Sequence, residues 1–93
     1  MQARKTGILA AYLKKKRRQA CLSQADVAKK LGYSSPQFIS NWERGLSDPP
    51  VETLRKISDI YNIPLNEIHQ LFLKATVKKI TSALRKRRHA PKK

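Results

Sequence analysis

Apolar residues recur at helical spacing in five stretches, separated by turn and breaker residues, which predicts an all-α chain. Ile8, Leu9, Tyr12 and Leu13 form one stripe of a helix from Gly7 to about Gln19, with Thr6 as its N-cap. Ser23 opens the second helix, with Asp26 at the third helical position, where a carboxylate favours the positive helix end. Val27, Ala28 and Leu31 face inward, and Gly32 closes the helix. Only Tyr33 and Ser34 precede the next start signal, in which Ser35 is the N-cap and Pro36 the first helical residue. The third helix, Pro36 to Arg44, turns Ile39 and Trp42 inward and stops at Gly45. Two short helices joined by so tight a turn form an angled pair, and the second projects far enough to enter a DNA major groove.

Leu46 to Pro50 reads as a loop. The fourth helix is expected from Val51 to Tyr61, with Val51, Leu54, Ile57, Ile60 and Tyr61 as its apolar face, and Asn62-Ile63-Pro64 breaks it. A fifth starts near Leu65 and continues to about Lys86, because no Gly or Pro occurs before Pro91. Leu65, Ile68, Leu71 and Phe72 serve the core. Beyond them Leu73, Val77, Ile80 and Leu84 repeat at spacings of 4, 3 and 4, a stripe left outside the small domain. It spans fewer than two heptads and still needs a cover. A second copy of the same helix is the simplest one, and folding back against the first helix is the alternative. The expected division is a helix-turn-helix domain over residues 1–72 (the pair itself at about 24–44) and a basic helical extension over 73–93. The last residues, His89 to Lys93, are expected to be disordered.

Composition narrows the function classes. At 93 residues and 40% hydrophobic, the chain supports one core without metal or disulfide. The single cysteine, Cys21, excludes an intrachain disulfide and a cysteine-rich zinc site, and reads as a small buried apolar residue. His69 and His89 have no clustered Cys, Asp or Glu, so neither an enzyme nor a metal or other cofactor is expected. No apolar run approaches the roughly 20 residues of a spanning helix, so no membrane role and a cytoplasmic location are expected. Charge changes the picture most: 21 Lys and Arg against 6 Asp and Glu give +15, which implies a polyanionic partner. The run Lys14 to Arg18 is either a solvated face or a phosphate-facing edge, and the rest of the chain favours the second.

Three blocks carry a resemblance: Leu22-Ser23-Gln24-Ala25-Asp26-Val27-Ala28 with Gly32, Phe38-Ile39-Ser40-Asn41-Trp42-Glu43-Arg44-Gly45, and Pro49-Pro50-Val51-Glu52-Thr53-Leu54. In this order and spacing they resemble the lambda-repressor/Cro-like (Xre-like) helix-turn-helix regulators. The resemblance implies a five-helix lambda-repressor-like domain that binds double-stranded DNA, its last helix here extended by a basic tail. It also implies a sequence-specific transcriptional regulator, a repressor that reads an inverted-repeat operator as a homodimer. The source would be bacterial or phage, and the protein cytoplasmic and nucleoid-associated. Alternatives are an antitoxin-like protein that also binds a partner protein, and an RNA-binding regulator that uses the Arg-rich tail.

Gln37 and Asn41, four residues apart on the outward face, carry amides that can pair with adenine and match the family's base-reading positions. Ser40 and Pro36 are further base contacts, Pro36 through apolar contact alone. Phosphate contacts are expected from Gln24, Ser23, Ser34, Ser35, Arg44 and Arg17. Phe38 is assigned to packing between helices rather than to a base. The resemblance further implies an ion pair between Arg17 and Glu43. Tyr33-Ser34-Ser35 departs from the family by one extra turn residue, and the extension after Phe72 lies outside its pattern.

Overall fold

The computed structural model describes residues 7–89, and these residues form helices and turns with no strand among them. The helices are α1 (Ile8–Gln19), α2 (Gln24–Leu31), α3 (Gln37–Glu43), α4 (Leu54–Tyr61), preceded by a 3-10 turn at Val51–Thr53, and α5 (Leu65–His89). The architecture is the expected five-helix, lambda-repressor-like one. All five helices contribute to one core: Leu9 and Leu13, Val27 and Ala28, Ile39 and Trp42, Leu54, Ile57 and Tyr61, and Ile68. α1 packs on α3 and α5, while α4 packs mainly on α5 and α2. α3 therefore rests on the flank of α1.

Several local expectations need correction. The N-cap position of α1 falls on Gly7, at φ 89°, and Thr6 lies outside the described residues. Cys21 is exposed rather than buried. It takes the left-handed position at the end of α1, with φ 61°, so that the Leu22 N–H can donate to the Arg17 carbonyl at 3.2 Å. That 6→1 bond closes the helix as it does at glycine caps, and the cysteine side chain is turned outward. Val51 does not join the apolar face of the fourth helix. It is 57% exposed and opens the 3-10 turn, whose tighter pitch takes it away from the face of Leu54 and Ile57.

α5 runs unbroken past residue 72 and ends at His89 rather than Lys86, so the extension continues the domain's last helix. His89, expected in a disordered tail, is helical, and residues 90–93 of that tail lie outside the described residues. Leu73, Val77, Ile80 and Leu84 are each between 52% and 63% exposed, so the stripe is not folded back against α1. Ala75, on the opposite side of the helix, packs against the core, and Lys79 reaches Asp48 at 2.6 Å. These contacts hold α5 on the loop that follows α3 and leave the stripe facing outward.

A non-glycine residue held at positive φ stores backbone strain of about 1–2 kcal/mol. Cys21→Gly is expected to stabilise the fold by about 0.5–1 kcal/mol, the gain being reduced by glycine's larger unfolded-state entropy. Urea denaturation measures it, and a loss of stability would show that the thiol makes a contact that matters.

Candidate nucleic-acid interface

The site is built on the α2–α3 pair. At the start of α2 the Ser23 hydroxyl accepts from the Asp26 N–H at 3.0 Å, and the Ser23 N–H donates to Asp26 Oδ2 at 3.0 Å. These reciprocal bonds satisfy two donors that the helix end leaves without carbonyls. The Ser23 backbone N–H, then its hydroxyl, hold the Asp26 carboxyl below the usual carboxylate range. With a lowered folded-state value, this stabilisation is present above the unfolded pKa and disappears as the pH falls through the folded one. Gly32 ends α2 at φ 84°, and the Tyr33 N–H donates back to the Ala28 carbonyl at 2.9 Å.

The longer turn is filled by an aromatic. Tyr33 lies 5.0 Å from the Phe38 ring and meets Trp42 edge-on at 6.0 Å, which braces the turn against α3 from both ends. Phe38 packs as expected on one side, yet it remains 54% exposed. α3 itself begins at Gln37, one residue later than expected, with Pro36 at the cap position. The Ser35 hydroxyl still accepts from the Gln37 N–H, at 3.3 Å. Seven residues are too few for a helix to hold itself, so α3 depends on what Ile39, Trp42 and Glu43 bury.

What Glu43 buries is a charge. Arg17 donates to both of its carboxylate oxygens, Nε to Oε2 at 2.6 Å and Nη2 to Oε1 at 3.0 Å. Arg17 Nη1 donates to the Leu22 carbonyl at 2.8 Å, and Gln24 Nε2 donates to Glu43 Oε1 at 3.0 Å. The Arg17 and Glu43 side chains are 10% and 3% exposed. The pairing raises the Arg17 pKa further above its ordinary value. Burial, then the Glu43 carboxylate, pushes the neighbouring Tyr61 phenol up. Three of the five Arg17 N–H donors are taken up inside the protein and its side chain is 10% exposed, so the guanidinium expected to meet a phosphate is turned mainly inward. Gln24 likewise gives its amide to Glu43. What it still presents outward is the start of α2, whose first N–H groups have no intrahelical carbonyl.

On the outer face of α3 the residues expected to read bases come together. Gln37 Nε2 donates to Asn41 Oδ1 at 3.0 Å, and Arg44 Nη2 donates to the same oxygen at 2.9 Å. Arg44 Nε also reaches the Ser40 carbonyl, at 3.4 Å. Gln37 and Arg44 are exposed, Asn41 and Ser40 half-buried, and Ser34, Ser35 and Pro36 exposed at the foot of the helix. The row leaves the Asn41 amide N–H groups and the Gln37 carbonyl oxygen unengaged. A donor and an acceptor side by side are what the adenine N7 and N6 edge requires. The Arg44–Asn41 contact was accessible to sequence reasoning through its three-residue spacing. The Gln24–Glu43 bond, 19 residues apart, had no such signal.

No group of residues suited to hold a metal ion occurs among the described residues, and none of their helices is long and apolar enough to cross a membrane. The helix-turn-helix family profile matches residues 13–68. The chain is also similar to the HTH-type transcriptional regulator ImmR of Bacillus subtilis (strain 168), with 38% identity over 55 residues. That alignment covers 59% of this chain and 42% of the relative, so the chain matches less than half of the relative's length.

Removing one member of a buried ion pair strands the other. Glu43→Ala is expected to destabilise the fold by about 3 kcal/mol, read by urea denaturation, with Arg17→Met/Glu43→Leu recovering part of the loss. A single substitution no worse than a surface change would mean that Arg17 finds water instead.

Proposed function

The chain belongs to the helix-turn-helix family, and from that premise we propose that it is a transcriptional regulator that reads double-stranded DNA through α3. The observation that carries this reading is the row Gln37, Asn41 and Arg44, held on one exposed face of a helix whose other face is fixed to α1 by Glu43. Gln37 and Asn41 read base edges, with Ser40 and Pro36 beside them. Ser34, Ser35 and Arg44, together with Ser23 and the start of α2 at Gln24, meet phosphates. Affinity comes mainly from phosphate neutralisation, sequence information from the amides. Repression of an adjacent promoter and a cytoplasmic location go with this reading.

One reading helix gives little discrimination, so the working form is a homodimer on an inverted repeat. The α5 stripe is its interface. Helical phase puts Lys74 and Thr81 on one edge of the stripe and Thr76 and Ala83 on the other. A parallel pair sets the lysine edge of one copy against the neutral edge of its partner, whereas an antiparallel pair sets the two lysine edges together. Either pairing relates the two α3 helices by a two-fold axis, as an inverted repeat demands, so the choice rests on the charge of the two edges. A second reading, favoured by the same exposed stripe, is an antitoxin-like protein whose partner covers Leu73, Val77, Ile80 and Leu84. A small protein that co-purifies with the chain would reveal it.

Selection from a random duplex pool tests the readout. The wild type is expected to return an inverted repeat with adenine in each half-site. A folded Gln37→Ala/Asn41→Ala variant should lose that preference, each amide–adenine pair being worth about 1–3 kcal/mol of discrimination. Unchanged selectivity in the variant would end the proposal. For the interface, Ile80→Ser/Leu84→Ser should sediment as a monomer and protect one half-site, while keeping its helical circular-dichroism signal, because both side chains are more than half exposed in the single chain.

A further inference from the structure

Arg17 stands within the basic run from Lys14 to Arg18, and the structure pairs its charge internally. The cations flanking it are left outside. Lys14, Lys15 and Arg18 are exposed on α1, and none of them takes part in an ion pair among the described residues. Together with Ala11 and Gln19 of α1 and Glu43 of α3 they line a groove of about 490 Å³. One wall of this depression is α1, and the other is the C-terminal end of the helix proposed to read bases. Glu43 is the one acid in the lining, and both of its oxygens are engaged by Arg17 and Gln24.

We propose that Lys14, Lys15 and Arg18 form a phosphate-binding ridge that grips the duplex backbone beside the half-site read by α3. The ligand chemistry is the phosphodiester of DNA. Residues 11, 14, 15 and 18 fall on one face of a helix, and the small Ala11 leaves room between the long cationic arms. Three like charges within about one helical turn repel each other in the unbound protein, and a line of phosphates relieves that repulsion. The side chains are flexible cations with no planar amide among the three, which suits backbone neutralisation and not base reading. The ridge adds phosphate contacts beside Arg17, whose guanidinium is turned inward to Glu43. It rests on the α3 reading for its location, since the groove reaches DNA only when α3 is docked.

The test is the salt dependence of duplex binding by the full chain, measured on a duplex chosen by the selection above and on a scrambled duplex of equal length. Each neutralised phosphate contributes a slope of about 0.9 to log affinity against log salt, so Lys14→Gln/Lys15→Gln/Arg18→Gln is expected to flatten the slope by up to about 2.7. The affinity loss should be the same factor on both duplexes, with the melting temperature unchanged. Arg55→Gln/Lys56→Gln on α4, which packs mainly on α5 and α2, serves as the charge control and should shift the slope far less per charge. A triple variant with the wild-type slope, or a control that flattens it equally per charge, overturns the ridge. Loss of selectivity in the triple variant, with affinity for the scrambled duplex intact, overturns it as well. Failure of the α3 reading is seen separately, as wild-type selectivity that survives Gln37→Ala/Asn41→Ala while the ridge variant still flattens the slope.

Discussion

The buried contact between Arg17 and Glu43 organises the rest of this molecule. Removing two charges from water is costly, and their attraction repays the cost only where the remaining donors and acceptors are also satisfied. Here every nitrogen and oxygen of the pair has a partner: the guanidinium reaches both carboxylate oxygens and the Leu22 carbonyl, and the carboxylate also receives the Gln24 amide. One node thereby joins the last turn of α1, the linker to α2, the first residue of α2 and the last residue of α3. Apolar side chains of similar volume could fill the same space, but they would not specify one rotation of α3 about its axis. A bidentate guanidinium–carboxylate pair does. For a seven-residue helix anchored otherwise by Ile39 and Trp42, rotation is the property that decides which side chains face outward.

The same node shapes the electrostatics. A chain carrying +15 must keep its cations apart or give them a polyanion. By cancelling Arg17 against Glu43 inside, the fold leaves no net charge at the α1–α3 contact and moves the excess to the rim. On α3, Arg44 leans back along its own helix to Asn41, which puts a cation next to the amide row without burying it. Asn41 is thus the shared acceptor of a neutral donor and a charged one, and its own N–H groups remain for a third partner.

Much of this was legible in the sequence wherever the signal is local. The cap at Ser23 with Asp26, the glycine at position 32, the outward placement of Gln37 and Asn41 and the continuation of α5 past residue 72 follow from spacing and residue type alone. The misses have a common cause, which is that tertiary contacts override local preference. Cys21 reads as apolar, yet the bond from Leu22 to Arg17 needs a left-handed residue there, and the thiol is turned to solvent. Val51 fits the helical stripe, but the chain leaving Pro50 winds as a 3-10 turn. Gln24 has the residue type for phosphate binding, and nothing in the linear sequence shows Glu43 within reach of its amide. The stripe on α5 was visible as a pattern, and its exposure followed once Ala75 and Lys79 were seen to occupy the opposite side of the helix.

The geometry of α5 bears on how far apart the two α3 helices of the proposed dimer would lie. At 25 residues and about 1.5 Å per residue, α5 is about 38 Å long, against a longest dimension of 51 Å for the described part of the protein. Its first half is part of the core through Ile68, and its second half is held to the loop after α3 by the bond from Lys79 to Asp48. That exposed pair adds little stability, and its effect is on direction. The stripe and α3 are then carried on one packed domain, the first placed by α5 and the second by the Arg17–Glu43 node. In a pair built on the stripe, the separation of the two α3 helices would be fixed by that domain and not by a flexible linker. Half-site spacing would then tolerate little variation, because shifting one reading helix means breaking either a packed core helix or a buried ion pair.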